Sequence, residues 1–243
     1  MKFKVFNTTF ASMLFIASCI STSANAGLIT VNDATNLDFS GDFVYAVNFA
    51  GPSGVKVGDA VFTNMIANGT GSTTGVSVSG FNRNLTWAGA SNLGGGTNND
   101  GLEQVMRSII WSSGLNPGMF DIAVVANTNY RLQLLFSEGC CSNRHFDINT
   151  ESGTLHEEVK GTSLGGTVWA ASQTKGYAMS VDFLATDNNL DIDLMRLPSG
   201  DSNYLISGFT LEKLSKTSVP EPSTLAIFTL AILGLVSRKL KKS

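Results

Sequence analysis

From Phe43 to Leu214 the apolar side chains repeatedly recur at every second residue, and that period limits what the chain can build. In FVYAVNFAG, Phe43, Tyr45, Val47 and Phe49 alternate with smaller or polar residues. In YRLQLLF the inward set is Tyr130, Leu132, Leu134 and Phe136, and in YAMSVDFLA it is Tyr177, Met179, Val181 and Phe183. LDIDL (Leu190, Ile192, Leu194) and YLISGFTLEKL repeat the pattern, each run bounded by Gly, Asn or Asp. Residues two apart share one face of a strand, so each run reads as a half-buried strand. No segment between the chain ends sustains a helical period, so helix content is expected to be slight. Many short strands joined by polar turns predict an all-β domain, a two-sheet β-sandwich or jelly roll. Ile66 to Gly101 is rich in Gly, Asn, Ser and Thr, with strand-like pieces only around Val76–Val78 and Leu85–Trp87. It reads as a long loop, where a rigid sandwich usually meets ligands.

The two ends of the chain are not part of that domain. Lys2 and Lys4 form a positive n-region, Phe10 to Ile20 is apolar, and Ala24-Asn25-Ala26 is an A-x-A cleavage pattern. Residues 1–26 therefore read as a signal peptide for export through the Sec pathway. Ile16-Ala17-Ser18-Cys19 offers a competing lipobox reading, with Cys19 lipidated. At the other end, Pro220-Glu221-Pro222 precedes an uncharged apolar run from Leu225 to Val236, followed by Arg238, Lys239, Lys241 and Lys242. The prolines keep the triplet out of a helix interior, and the cations form a cytoplasmic membrane stop. A run of roughly 14 helical residues (224–237) spans only about 20 Å of an approximately 30 Å hydrocarbon core, which snorkelling lysines help to bridge. This tail, 220–243, resembles the bacterial PEP-CTERM sorting signal. The resemblance implies recognition and cleavage by exosortase, an integral-membrane transpeptidase, with transient anchoring in the inner membrane before release to the cell surface or matrix.

Between the signals lies one domain, 27–214, with a short linker, 215–219; the length suits a single sizeable core. The whole chain has 16 basic and 19 acidic residues; without the ends, which hold 6 and 1, 10 basic face 18 acidic, a net charge of −8. No basic stripe is left to track phosphates, so nucleic-acid binding is disfavoured. Once Cys19 leaves with the signal peptide, only the adjacent pair Cys140-Cys141 remains. Vicinal thiols lack metal-site spacing. A vicinal disulfide is the preferred reading, beside free thiols or bridges to another chain.

Read in order, AVNFAG, YRLQLLFSEGCCSNRHFDINTESG and NNLDIDLMRLPSGDSNYLISGFTLEKL resemble the malectin and malectin-like domain, a galactose-binding-like β-sandwich. The middle block matches through Tyr130, Leu132, Leu134, Phe136, Glu138, Arg144, Phe146, Asp147 and Ile148, and Ile206–Leu211 resembles the closing strand. The match departs from the family in the linker after the first block and in the Cys140-Cys141 loop. The resemblance implies a non-catalytic carbohydrate-binding module whose sugar contacts come from variable loops, with extracellular polysaccharide as the partner. The other class is a structural or adhesive surface protein with no small ligand.

Glu138 and Arg144 bracket one hairpin-like connection, so they read as a loop-closing ion pair with Asp147 in support. The rival reading, a Glu138/Asp147 glycosidase pair, is disfavoured because Asp147 lies within a strand. His145 and His156 stand outside any nucleophile or zinc motif. His156-Glu157-Glu158 reads as a solvated strand edge, and Gly94-Gly95-Gly96 as a flexible loop lacking the lysine and helix of a phosphate loop. Asp187, Asp191 and Asp193 could offer oxygen to Ca²⁺, but alternation puts Asp191 and Asp193 on the solvent face, so neither metal nor cofactor is expected. Sugars require an aromatic platform with amides and carboxylates for their hydroxyls. Trp87, Trp111 and Trp169, with Asn98, Asn99 and Asp100, all on expected loops, are the candidates.

Overall fold

The computed structural model describes residues 27–86, 93–137, 145–150, 155–160, 176–197 and 203–215. In chain order its strands begin with β1 (Gly27–Val31), β2 (Asp42–Phe49), β3 (Val55–Val57), β4 (Ala60–Met65), β5 (Gly69–Thr73), β6 (Val76–Phe81) and β7 (Arg83–Thr86). The helix α1 (Thr97–Met106) follows, then β8 (Ser108–Ser112), β9 (Gly118–Ala123), β10 (Asn129–Phe136), β11 (His145–Thr150) and β12 (Leu155–Lys160). The series closes with β13 (Gly176–Leu184), β14 (Asn189–Arg196), β15 (Tyr204–Ile206) and β16 (Gly208–Lys213). A seven-stranded sheet, β1-β13-β10-β16-β2-β4-β3, faces a six-stranded one, β12-β11-β14-β9-β6-β5, and a three-stranded sheet, β15-β8-β7, lies beside them. Only the β2–β4 pair is parallel among the described ladders. The β-sandwich expected from alternation is therefore the fold observed.

Alternation also places the core. Tyr130, Leu132, Leu134 and Phe136 meet Met179, Val181, Leu190, Ile192, Leu194, Phe209 and Leu211 between the two large sheets. Phe49 and Phe81 each pack on Phe120, at centroid distances of 5.7 and 5.3 Å, and Phe81 also meets Tyr204 at 5.4 Å. A second core lies on the outer face of the seven-stranded sheet, where Ala46, Leu135 and Ala178 are covered by Leu37, Val57, Phe62, Leu102, Val105 and Met106. Phe43 was expected beside Tyr45 and Val47, but it packs in this second core. The reason is a β-bulge: Leu211 pairs with Tyr45 and Glu212 with Phe43, so Val44 is extra and the alternation slips by one.

The expected long loop at Ile66–Gly101 is a correction. The strand-like pieces around Val76–Val78 and Leu85 are β6 and β7, but the described remainder is not all loop: β5 pairs with β6, and α1 opens at Thr97. Ser and Thr on β5 and β6 face solvent while Val76, Val78 and Phe81 face the core, so a strand with a fully polar outer face was read as loop. The triple glycine also precedes a helix after all, with Gly96 at the N-cap of α1. That helix buries Leu102, Val105 and Met106, spaced three and four apart, but its 10 residues are too few to show a period. The strand that carries Trp111 begins at Ser108, after the helix ends at Met106.

The ends of the sandwich differ. β16 enters from β15 through Ser207 at the Leu135 level and leaves at Lys213, opposite Tyr130 and Asp42. The turns after β9 and β13 share that exit end, tied by Asn127 N–H to Ala185 O at 2.8 Å and Ala185 N–H to Thr128 O at 3.0 Å. The three-stranded sheet occupies the other end, where the Tyr204 hydroxyl donates toward Gly80 O and Asn116 O, each at 2.8 Å.

Candidate functional site

At the three-stranded end, Trp111 occupies the middle of a cross-strand row, with Leu205 on one side and Arg83 on the other. Its neighbour Ile110 points into the main core, so Trp111 points away from it and stays half-buried. The exposed Arg83 guanidinium carbon lies 6.0 Å from the indole centroid. Such a contact is worth about 0.5–1 kcal/mol at an exposed site. Trp111 was expected on a loop after its strand; it lies within β8, and a ring fixed by strand pairing on both sides is a stiffer platform than a loop would give.

Asn98, Asn99 and Asp100 were expected on a loop and instead form the first turn of α1. Asn98 and Asn99 line a cleft of about 650 Å³ together with Thr35, Asp38, Ser40 and Asp59. The Asn99 amide and the Asn98 amide oxygen are committed to the scaffold. Asn98 Oδ1 accepts from Gly58 N–H at 3.0 Å, and Asn99 Oδ1 accepts from Ala34 N–H at 2.8 Å. Asn99 Nδ2 donates to Leu93 O at 2.9 Å and Gly95 O at 3.3 Å. The pair thus pins the helix to the chain before β2 and to the β3–β4 turn. Asp100 is exposed and does not line the cleft, and neither does Trp111.

Beside this cleft the segment before β2 is strapped to the seven-stranded sheet by residues that the sequence did not single out. Buried Gln133 accepts from Asp38 N–H at 3.0 Å and donates to Asp38 O at 2.6 Å and Thr210 Oγ1 at 3.0 Å. One row further on, Asp182, Arg131 and Glu212 stand side by side on adjacent strands. Arg131 meets Asp38 at 2.5 Å, Asp182 at 2.8 Å and Glu212 at 3.7 Å. Three carboxylates surround one guanidinium. Hydrogen bonds from Ser40 hold the Asp38 carboxyl below its usual range. Burial pushes Glu212 above its usual range, against the pull of Arg131, and its Oε2 is buried without a hydrogen bond. The signal in sequence was slight: Arg131 and Gln133 are the outward residues of YRLQLLF, where alternation predicts solvent rather than a second covered layer.

Among the remaining candidates, Asp147 is buried in β11, in register with Glu158 and Met195. β12, which carries His156, Glu157 and Glu158, is an edge strand, as expected. Asp191 is exposed and Asp193 half-buried, its carboxyl raised by burial and then by Asp191. Among the described residues no group of three or more His, Cys, Asp or Glu is placed to hold a metal ion. Trp87, Trp169, Glu138, Arg144, Cys140 and Cys141 lie outside the described residues, as do Cys19, Pro220, Glu221, Pro222 and Arg238, Lys239, Lys241 and Lys242. No helix of the described residues is long and apolar enough to cross a membrane.

Comparison with known proteins separates the tail from the domain. Residues 218–242 match the PEP-CTERM protein-sorting motif. That motif marks the chain for export and membrane-associated sorting to the cell surface, and implies recognition by an exosortase. No curated protein matches the sequence significantly. Among solved structures, the plant receptor-like kinase ANX1 aligns with a TM-score of 0.52 at 11% identity, over 72% of this chain and 49% of that one. The plant receptor-like kinase FER aligns with a TM-score of 0.51 at 13% identity, over 72% and 50%. The ANXUR1 extracellular domain from Arabidopsis thaliana gives 0.50 at 13%, over 72% and 49%. The chain spans about half the length of these structures. At such identity the likeness is one of fold, and the fold is the malectin-like sandwich that the strand order resembled.

Proposed function

We propose that this protein is a non-catalytic carbohydrate-binding protein of the cell surface, with extracellular polysaccharide as its partner. The observation that carries the reading is Trp111: a half-buried indole with Arg83 over one face of its ring, fixed on a paired strand at the end of the sandwich opposite Lys213, so that the other face is the one offered to a sugar. An indole face covers the C–H face of a sugar ring, and an arginine donates to its hydroxyls. On this reading the chain is exported through the Sec pathway, anchored transiently in the inner membrane and then released. The cleft beside α1 is a poorer candidate, because no tryptophan lines it and the whole Asn99 amide and the Asn98 oxygen already serve the backbone.

The test is polysaccharide pull-down and glycan-array binding with residues 27–219. Since ring contacts are worth about 1–2 kcal/mol, Trp111→Ala should weaken binding roughly tenfold or more with an unchanged fold. Native protein that binds no polysaccharide would leave the structural or adhesive reading. Turnover of a labelled glycan would refute the non-catalytic assignment.

A further inference from the structure

β1 pairs Gly27 with Ser180 and Val31 with Gly176, so it runs away from the Leu184 end. β16 leaves at Lys213 beside Tyr130, and Leu214 N–H closes onto Asn129 O at 2.9 Å at the same end. From Lys216 to Thr224 there are nine residues before the apolar run. Fully extended they reach at most on the order of 30 Å. While the tail is held in a bilayer, this end of the domain therefore cannot leave the lipid surface by more than that span.

The same end presents two aliphatic side chains to solvent. Val125 is 61% exposed on the turn after β9, and Leu184 is 54% exposed at the close of β13. Their turns are joined by the hydrogen bonds of Asn127 and Ala185. We propose that this end is a membrane-facing surface, on which Val125 and Leu184 rest among the phospholipid headgroups while the tail is anchored. β10, eight residues long, separates the two ends of the sheet by roughly 25 Å. Trp111 is consequently held out from the bilayer. The inference rests on the sorting tail and stands whether or not Trp111 binds a sugar.

Residues 27–243, reconstituted in vesicles of phosphatidylethanolamine and phosphatidylglycerol with a headgroup-level nitroxide quencher, give the test. Leu184 and Leu115 are exposed leucines at opposite ends, Leu115 being 88% exposed on the turn between β8 and β9. L184W should add a tryptophan signal that is quenched several-fold more than that added by L115W, and V125W should behave as L184W does. Truncation at Val219 should abolish the difference. Equal quenching of L184W and L115W, or stronger quenching of L115W, would overturn the proposal. So would shielding of L184W that arises only after an exosortase-containing membrane fraction is added, since the surface would then face that protein rather than lipid. Melting curves of each variant identify any that unfold, and Val125 and Leu184 give two independent reporters.

Discussion

Replacing Glu212 by Gln asks whether the cluster around Arg131 holds one carboxylate too many. Glu212 is only 10% exposed, and its Oε2 stands 3.7 Å from Arg131 Nη1 without a hydrogen bond. At an effective dielectric of about 20, that attraction is roughly 4 kcal/mol. Asp38 and Asp182 hold the same guanidinium at 2.5 and 2.8 Å. Asp38 meets the same Nη1 as Glu212 and stands roughly 6 Å from it, whereas Asp182 lies two strands away across Arg131, so the two repel Glu212 by roughly 3 and 2 kcal/mol on the same scale. Repulsion thus offsets the attraction, and burial of the charge leaves a net cost of roughly 1–2 kcal/mol. Gln keeps the shape, and Arg131 retains two carboxylates, so no cation is orphaned. E212Q should therefore stabilise residues 27–219 by about 1–2 kcal/mol at pH 7.5, raising the melting midpoint by about 2–6 °C. The pH dependence has a definite sign. Because the folded-state pKa of Glu212 is raised, its penalty is complete above that pKa and fades as pH falls toward about 4.3, where the unfolded carboxyl also protonates. Scanning fluorimetry from about pH 4.5 to 8 should show the two proteins converging in acid. A lower midpoint for E212Q at pH 7.5, or a gap indifferent to pH, would refute the reasoning.

Deleting Leu225 to Ser243 should release the protein into the soluble fraction of the envelope or the medium, scored by membrane fractionation; continued co-sedimentation with inner membrane would contradict the sorting role of the tail. Gln133→Leu strips Asp38 and Thr210 of buried partners, so it should cost about 1–3 kcal/mol and expose the 37–41 strap to limited proteolysis. Asn99→Ala removes three backbone contacts and should cost about 1–3 kcal/mol in denaturant titration while leaving polysaccharide affinity unchanged, which separates a scaffold amide from a ligand amide.

Much of the sandwich was legible because burial on one side of a strand writes itself as a period of two. Tyr130 to Phe136 and Leu190 to Leu194 fill the core as their spacing says. The reading failed where a second constraint overlaid the first. Phe43 was misplaced because a bulge leaves no mark in the residue pattern. β5 reads as loop because glycine, serine and threonine are also strand residues when one face is wet. At the candidate site, residue type was informative and surroundings were not. Trp111 could be chosen as an aromatic, but its pairing with Arg83 joins residues 28 positions apart, and only the fold brings them together. The asparagines at 98 and 99 were chosen as sugar partners because an amide looks the same whether it faces a hydroxyl or a backbone; the hydrogen bonds to Gly58 and Ala34 decide.

The distance between Trp111 and the point where the chain leaves β16 follows from how the last strands are strung. β15 belongs to the three-stranded sheet and passes through Ser207 directly into β16, so the chain begins its final traverse of the large sheet at the Trp111 end. Gly208 is placed there because its backbone passes close to Val47 O and Val105, where a side chain would collide. One traverse remains, and a single strand must leave at the opposite end. Ser207 N–H to Leu135 O and Phe49 N–H to Ser207 O, both 2.9 Å, lock that junction. An exit at the Trp111 end would have required another strand across the sheet, so β16 ends at the far end by topology.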